Sequence, residues 1–156
     1  MNNKEYLFNP FNIKKLNENQ LKNMYDEVFK ELLDDCNTMY EYSHNIEVFS
    51  NLNYIVGEII ARLTKDIIEL KTKIQIDTAI NLTEERKRWN KDADGKPPAM
   101  PYFEALATRL SQADINMLAD KECSLKRFKN AYQTIEEKIN ALKKRSESIR
   151  YEEFNQ

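Results

Sequence analysis

Two regularly spaced series of apolar residues constrain the fold of this chain more than any other feature. Each series advances by alternating steps of three and four residues, which aligns its members along one face of an α-helix. The first series is Val56, Ile60, Leu63, Ile67, Leu70 and Ile74, and the second is Leu125, Phe128, Tyr132, Ile135, Ile139, Leu142 and Ile149. The two series predict two long helices that pack against each other through these faces.

The segment between the two series predicts how the helices are connected. Residues 90–101 concentrate the helix breakers of the chain, and an antiparallel pairing about a tip near Lys96 brings the two series into register. The paired positions are Ile74 with Leu118, Ile67 with Leu125, Ile60 with Tyr132, Val56 with Ile135, Leu52 with Ile139, Leu82 with Leu110, Phe49 with Leu142 and Tyr42 with Ile149. The sequence therefore predicts an all-α fold with a coiled-coil-like antiparallel hairpin over residues 51–156 and a tip at about 91–101.

The first 50 residues add two further segments. Residues 1–16 form an apolar arm in which Asn9-Pro10 favours an extended conformation, and residues 17–50 have the pattern of a helix. Asn17 and Gln20 are typical of a helix start, the helical pattern continues to about Ser43, and the polar residues 50–53 predict a kink or break. The apolar face of this N-terminal helix has to fold back onto the hairpin or pack on another copy.

We expect a homo-oligomer, because a hairpin two helices thick has a thin core and most of the N-terminal helix has no partner within it. The arm and the apolar face of the N-terminal helix supply the expected interface. Its residues are Tyr6, Phe8, Phe11, Leu21, Tyr25, Val28 and Leu32.

The composition argues against nucleotide-dependent and histidine-based chemistry. The 156-residue chain holds only two glycines, Gly57 and Gly95, so neither a phosphate-binding P-loop nor a dinucleotide fingerprint can form. His44 is the sole histidine, and Cys36 lies eight residues away on the same predicted helix, too far for a direct hydrogen bond. We therefore expect a protein that is not an enzyme and has no cofactor.

The cysteine positions and the lack of a membrane or signal segment in the sequence predict the cellular compartment. Cys36 and Cys123 fall within helical patterns, where a free thiol behaves as a small apolar residue, and no long apolar run or signal peptide is present. These features favour a reducing, cytoplasmic setting without membrane contact.

Polar residues interrupt both series at a similar level. Asp77 and Asn81 fall where the first series should continue, and Asp114 and Asp120 interrupt the second. A local change of heptad phase explains the pattern, because it rotates the packed face away from these polar groups. The alternative is a carboxylate metal site made from Asp77 and Asp114, which we disfavour because no histidine lies nearby.

Charge is distributed unevenly along the chain. Residues 1–51 hold 5 Lys/Arg and 9 Asp/Glu, a net charge of −4, whereas residues 86–150 hold 15 and 9, a net charge of +6. A polyanion should therefore bind the second half. The alternative is that these charges only keep the helices solvated.

A basic run with an adjacent tryptophan marks the predicted tip. Single-stranded nucleic acids are bound by cations that contact phosphates and by aromatic rings that stack on bases. The candidate DNA-binding residues are Arg86, Lys87, Arg88, Trp89, Lys91 and Lys96, and a secondary basic face comprises Lys126, Lys129, Lys143, Lys144 and Arg145. Alternatively, Trp89 packs across the turn against Tyr102 or Phe103 while the cations are solvated.

Scattered positions in the second half resemble a known family. They are Leu110-Ser111, Asp114, Leu118, Lys121, Ala141-Leu142-Lys143-Lys144-Arg145, Ile149 and Glu153-Phe154. Over about residues 79–154 the chain is similar to the C-terminal half of the UvsY-type recombination mediators of T-even-like bacteriophages. The Asp94-Gly95 turn and the basic helix end before it occur in a comparable place.

The resemblance implies a phage protein of the infected bacterial cytoplasm that forms a ring-like homo-oligomer and binds single-stranded DNA. It also implies that the protein helps to load a recombinase in place of a single-strand binding protein. The basic segment of the family falls around Arg86, Lys87, Arg88 and Lys91. The chain departs from the family in its more clustered basic residues and in its N-terminal 50 residues, which look like an addition.

A function of another class stays open. A phage-encoded helical adaptor or inhibitor that binds protein, such as an antagonist of host defence or a coiled-coil component of the virion, fits the same pattern without any role for nucleic acid. Salt separates the two, because DNA binding through several cations weakens steeply as salt rises and an apolar helix interface does not.

Overall fold

All the regular secondary structure in the part of the chain that the computed structural model describes is α-helix. Residues 13–92, 95, 96 and 98–154 are described, with only the backbone for 90–92, 153 and 154. Helix α1 spans Glu18–Phe29, α2 spans Met39–Asp92, α3 spans Met100–Leu110 and α4 spans Gln112–Phe154. Helices α2 and α4 pack together in a hairpin-like arrangement. The predicted all-α fold and the predicted hairpin are confirmed.

The chain divides into two compact units. The first comprises Met1–Arg62 and Lys126–Gln156, and we call it the three-helix unit because it contains α1 and parts of α2 and α4. The second is Leu63–Leu125, which we call the tip unit because it contains the connection between α2 and α3.

The three-helix unit has a buried apolar core made of two adjoining clusters. In the first, Leu52, Val56 and Ile135 are buried together, and Ile60, Tyr132 and Ile139 pack against them. This grouping fits the predicted register. The second cluster is Ile13, Leu21 and Ile55, each with at most 1% of its surface exposed.

Helix α1 begins as the sequence predicts but ends much earlier. Its capping box is formed: the Asn17 side chain accepts from the Gln20 backbone N–H, and the Gln20 side chain accepts from that of Asn17. The prediction that the helix continues to about Ser43 is wrong, because α1 ends at Phe29 and α2 begins at Met39.

A second capping box explains the start of α2. Thr38 and Glu41 stand three residues apart; the Thr38 hydroxyl accepts from the Glu41 N–H at 3.3 Å, and the Glu41 carboxylate accepts from the Thr38 N–H at 2.8 Å. Buried Asn45 holds the preceding connection through two 2.9 Å hydrogen bonds, one to the backbone N–H and one to the carbonyl of Leu33. The connection is thus fixed by side chains of α2.

The predicted break at residues 50–53 is also wrong, because α2 continues through them. The Ser50 hydroxyl donates to the Ile46 carbonyl at 2.7 Å, so its polar group is satisfied inside the helix. Leu52 is fully buried, and its packing outweighs the low helix propensity of its polar neighbours.

In the tip unit the part of the chain that returns along α2 is divided into two helices, α3 and α4. Helix α3 has a proline in its first turn and ends at Leu110, two residues before α4 begins at Gln112. Ser111 between them is buried, and its hydroxyl lies 3.3 Å from that of Thr78 on α2. The interruption falls close to Asp114, where the sequence predicts a change of phase.

Candidate nucleic-acid interface

Three consecutive basic side chains project from the C-terminal end of α2. Arg86, Lys87 and Arg88 lie on its last described turns, and because neighbours on a helix differ by about 100° they spread around it. Arg86 and Lys87 form no ion pair within the described part of the chain. The C-terminus of a helix carries a partial negative charge, which favours basic side chains there but does not attract phosphate. Any attraction for phosphate therefore has to come from the charges of these side chains.

Arg88 pairs with a neighbouring carboxylate but stays largely exposed. Its guanidinium Nη1 lies 2.9 Å from the Glu85 carboxylate, with 70% of the Arg88 side chain exposed and 18% of that of Glu85. The Arg88 guanidinium is therefore accessible to a phosphate while it pairs with Glu85.

Trp89 lies beside the connection between α2 and α3. Its Cη2 atom lies 3.9 Å from the position that a Cβ atom would take on Gly95. Tyr102 and Phe103 form an edge-to-face pair with each other at 5.6 Å between ring centroids, and within the described residues neither forms a ring pair with Trp89. The indole ring therefore lies next to Gly95, and the Trp89 residue is partly exposed.

The remaining candidates at the tip are only partly described. Lys96 is exposed. Lys91 belongs to the last turn of α2, and its side chain lies outside the described residues. The structure thus brings Arg86, Lys87, Arg88 and Trp89 together as consecutive residues of one helix end, with Lys96 on the following turn.

The secondary basic face lies on α4 within the three-helix unit. None of its members, Lys126, Lys129, Lys143, Lys144 and Arg145, forms an ion pair with another described residue. Lys126 and Lys144 are 18 residues apart, which is five helical turns and about 27 Å, so they share one face of α4.

The polar residues considered for other chemistry are engaged elsewhere. Asp114 pairs with Lys73 at 2.7 Å, and within the described residues no three His, Cys, Asp or Glu side chains are placed to hold a metal ion. His44 Nε2 lies 2.9 Å from the Glu31 carbonyl, and the Cys36 thiol accepts from the Asn45 amide at 3.0 Å. Burial, followed by the nearby Glu41 carboxylate, raises the pKa of Cys36.

Four residues of the expected oligomer interface pack against other residues of the same chain. Leu21 is buried against Ile13 and Ile55, while Tyr25, Val28 and Leu32 pack against the core around Leu52. Helix α1 therefore folds back onto its own α2, which is one of the two arrangements that its apolar face allows. A role of these four residues in an interface with another subunit stays a prediction. Tyr6, Phe8 and Phe11 lie outside the described residues.

One feature of the three-helix unit escapes the sequence prediction. An open pocket of about 370 Å³ lies between α2 and α4, with Asn53, Gly57 and Tyr132 among its lining residues. The one sequence feature at this place is the isolated Gly57 within a helical pattern, because its missing side chain leaves space on the surface of α2. A Cβ atom at Gly57 would lie 3.6 Å from the Tyr132 ring.

Comparisons of the chain with protein-family models, curated proteins and solved structures found no match. None of the described helices combines the length and the apolar character required to cross a membrane.

Proposed function

We propose that the chain is a single-stranded DNA-binding recombination mediator whose DNA contact is the tip unit. The observation that carries the proposal is the run of three cations, Arg86, Lys87 and Arg88, directly followed by the partly accessible ring of Trp89. Cations supply affinity for the phosphates of any sequence, and a base-stacking ring selects a strand whose bases are not already paired.

The positions of the three cations and of Trp89 indicate which of them contact phosphate and which stacks on a base. Arg86 and Lys87 have no competing carboxylate among the described residues, so they contact phosphate first, and Arg88 exchanges Glu85 for phosphate. Trp89 lies beside the turn at Gly95 and is partly exposed, so a base can stack on its ring there.

The mediator role rests on the family resemblance. In that role the protein assembles as a ring-like homo-oligomer in the cytoplasm of a phage-infected bacterium and helps a recombinase to replace a single-strand binding protein. Exposed apolar side chains in the tip unit are the surface that self-association would use, because subunit interfaces bury apolar side chains at their centre. They are Ile68, Ile76, Ile80, Tyr102, Leu110 and Met117, each at least half exposed.

The same apolar side chains favour a second candidate. A helical adaptor or inhibitor would use them to bind a protein partner, with the basic residues serving only solubility. Its binding would persist at high salt, because apolar contacts do not depend on counterion release.

The decisive experiment measures binding of labelled oligo-dT by fluorescence anisotropy across a salt series. Lys87→Ala with Arg88→Ala should weaken binding and reduce the log–log salt slope by about 0.7 for each phosphate that is no longer neutralised. Trp89→Ala should cost about 1–3 kcal/mol of binding with little change of slope. The matched control is Lys22→Ala with Lys30→Ala, which removes two exposed cations from the region of α1.

Size-exclusion chromatography with light scattering, with and without oligo-dT, reports assembly and DNA binding together. Unchanged affinity and slope in the Lys87→Ala, Arg88→Ala protein, with its assembly intact, would exclude the tip as the DNA site. The protein-binding function would then be the better explanation.

A further inference from the structure

One face of α4 in the three-helix unit carries cations without carboxylates. This face, which we call the basic stripe, consists of Arg127, Thr134, Lys138, Ala141 and Arg145, all of them exposed. Arg127 and Arg145 are 18 residues apart, which is five helical turns and about 27 Å, and Lys138 deviates from their line by only about 20°. The three cations therefore project from the same side of the helix.

The cations of the basic stripe have no acidic partner in the described part of the chain. None of the ion pairs there involves Arg127, Lys138 or Arg145. Thr134 between them brings no charge, and its hydroxyl already donates to the Asn130 carbonyl at 3.0 Å. The three positive charges are therefore available to an external anion.

The other flank of α4 has as many cations but a different charge pattern. It is formed by Lys129, Glu136, Lys143, Glu147 and Arg150, all exposed, on the opposite side of the helix from the basic stripe. Two carboxylates among its three cations leave a net charge of +1, whereas the three cations of the basic stripe leave +3. A polyanion should therefore bind one side of α4 in preference to the other.

The predicted secondary basic face is divided between these surfaces. Lys129 and Lys143 belong to the flank with carboxylates, and Arg145 belongs to the basic stripe. Arg127 and Lys138, which complete the basic stripe, do not belong to the predicted face. The grouping follows from the 100° rotation per residue of the helix rather than from the clustering of charges along the sequence.

The chemistry of the basic stripe fits the phosphates of a nucleic-acid strand. Two of its three cations are arginines, whose planar guanidinium groups can donate two parallel hydrogen bonds to one phosphate. The stripe lacks the large apolar side chains that protein interfaces bury at their centre and that amphipathic helices insert into membranes. A nucleic-acid backbone repeats its phosphates along a line, as the stripe repeats its cations over about 27 Å.

The basic stripe differs from the tip in having no aromatic ring. Trp89 at the tip can stack on an unpaired base, whereas the residues between the cations of the stripe are Thr134 and Ala141. Contacts with the stripe are therefore limited to the backbone of the nucleic acid. Such contacts position a strand without reading its sequence.

We propose that the basic stripe of α4 binds the phosphate backbone of a nucleic-acid strand as a second contact, separate from the tip unit. Arg127, Lys138 and Arg145 each contact a phosphate, and the strand follows the axis of α4. The choice of nucleic acid as the ligand rests on the function proposed above, but binding at the stripe requires neither Trp89 nor the basic run beside it.

Fluorescence anisotropy of labelled oligo-dT across a salt series tests the stripe in the full chain. Arg127→Gln, Lys138→Gln and Arg145→Gln combined should weaken binding at least about 10-fold at 0.1 M salt and lower the log–log salt slope by about 2, because three phosphates are no longer neutralised. A duplex of equal length should also lose affinity, since the stripe contacts only phosphates.

The matched control is Lys129→Gln, Lys143→Gln and Arg150→Gln combined, which removes the same charge from the other flank of the same helix. Its affinity should stay within about 3-fold of the wild type, because the Debye length of about 10 Å at 0.1 M salt is no greater than the diameter of a helix. Circular dichroism should show unchanged helicity in both variants, since all six positions are exposed.

A stripe variant that binds like the wild type, or a control variant that loses as much affinity, overturns the proposal. If the stripe variant binds normally while Lys87→Ala with Arg88→Ala weakens binding, the stripe proposal fails and the proposed function stands. If neither variant weakens binding, both fail. The proposal is also overturned if only the wild type sediments with phosphatidylserine vesicles while oligo-dT affinity is equal in both proteins, because the ligand is then a lipid surface.

A cross-linking measurement locates the strand while all three cations are kept. Thr134 replaced by the photoreactive analogue p-benzoylphenylalanine should cross-link to oligo-dT, because position 134 lies between the cations of the stripe. The same replacement at exposed Asn140, toward the other flank, is the control and should give at most a weak cross-link. No cross-link from position 134, or equal cross-links from both positions, contradicts binding along the stripe.

Discussion

The three-helix unit and the tip unit are stabilised by different interactions. In the three-helix unit α1 covers α2, and Leu52 and Ile55 have no exposed surface. In the tip unit the least exposed residues of α2 are Ile67 and Leu70, at 6% and 9%, although Ala107 of α3 has no exposed surface. The difference along α2 shows what the packing of α1 contributes, since α1 lies on α2 only in the three-helix unit.

Polar contacts join α2 to α4 in the tip unit. Within the described residues three ion pairs connect the helices, each at 2.7 Å: Lys71 with Glu122, Lys73 with Asp114 and Lys121 with Asp66. In the three-helix unit the ion pair of Arg62 with Glu58 lies within α2 itself. Exposed ion pairs contribute far less than buried apolar residues, so the stability of the chain should be concentrated in the three-helix unit.

The largest expected effect is a core truncation in the three-helix unit. Leu52→Ala should lower the free energy of unfolding by about 2–5 kcal/mol, because it leaves a cavity in a close-packed core. Ile67→Ala in the tip unit should cost less, because a two-helix core relaxes more easily into the space. Urea denaturation followed by circular dichroism measures both.

The matched control for these truncations is Tyr40→Ala. This side chain is 78% exposed on α2, and its removal should change stability by no more than about 0.5 kcal/mol. If Ile67→Ala destabilises the protein more than Leu52→Ala, the stability is not concentrated in the three-helix unit.

A smaller effect should come from the ion pairs of the tip unit. A double-mutant cycle with Lys121→Ala and Asp66→Ala should give a coupling free energy of about 0.2–1 kcal/mol at low salt that disappears in about 1 M NaCl. The two side chains are 30% and 46% exposed. The control cycle on Lys65 and Glu69, at 75% and 65% exposure and 3.6 Å, should give a weaker coupling.

Two equal couplings, or a coupling for Lys121 with Asp66 that salt does not change, would show that these interhelical pairs do not join the helices electrostatically.

The apolar periodicity was sufficient to predict the hairpin because the packed residues repeat at helical spacing over many turns. It predicted α1 too long, because the apolar spacing from Leu21 to Met39 continues across a connection that local hydrogen bonds define. The sequence does contain the competing signal, since Thr38 and Glu41 have the spacing of a capping box. The hydrogen bond from the Leu33 N–H to the Asn45 side chain could not be predicted in this way, because the two residues are 12 positions apart and match no local sequence motif.

The basic tip could be located from sequence, because Arg86, Lys87 and Arg88 are consecutive and lie beyond the end of the apolar series. The position of Trp89 beside Gly95 depends on the path of the connection, which periodicity does not specify. The fold-back of α1 was one of two alternatives that the apolar face allowed, and only the position of its partner Ile55 decides between them.

The smallest expected effect is on the pH dependence of stability: one stabilising group of the three-helix unit should lose its effect in acid, and one of the tip unit should lose its effect in alkali. The backbone N–H groups of Asn37 and Thr38 donate to the Glu41 carboxylate at 2.8 Å each and lower the pKa of Glu41 from 4.5. The charged Glu41 therefore stabilises the fold above pH 4.5, and this stabilisation is lost as the pH falls through the lower pKa of the folded state.

The hydrogen bond to Asp114 raises the pKa of Lys73 from 10.5. The charged Lys73 therefore stabilises the fold below pH 10.5, and this stabilisation is lost as the pH rises through the higher pKa of the folded state. The difference in melting temperature between wild type and Glu41→Ala should therefore shrink in acid, and the difference for Lys73→Met should shrink in alkali. If both differences shrink at the same end of the pH range, then either the charge of Glu41 or that of Lys73 does not stabilise the fold as described.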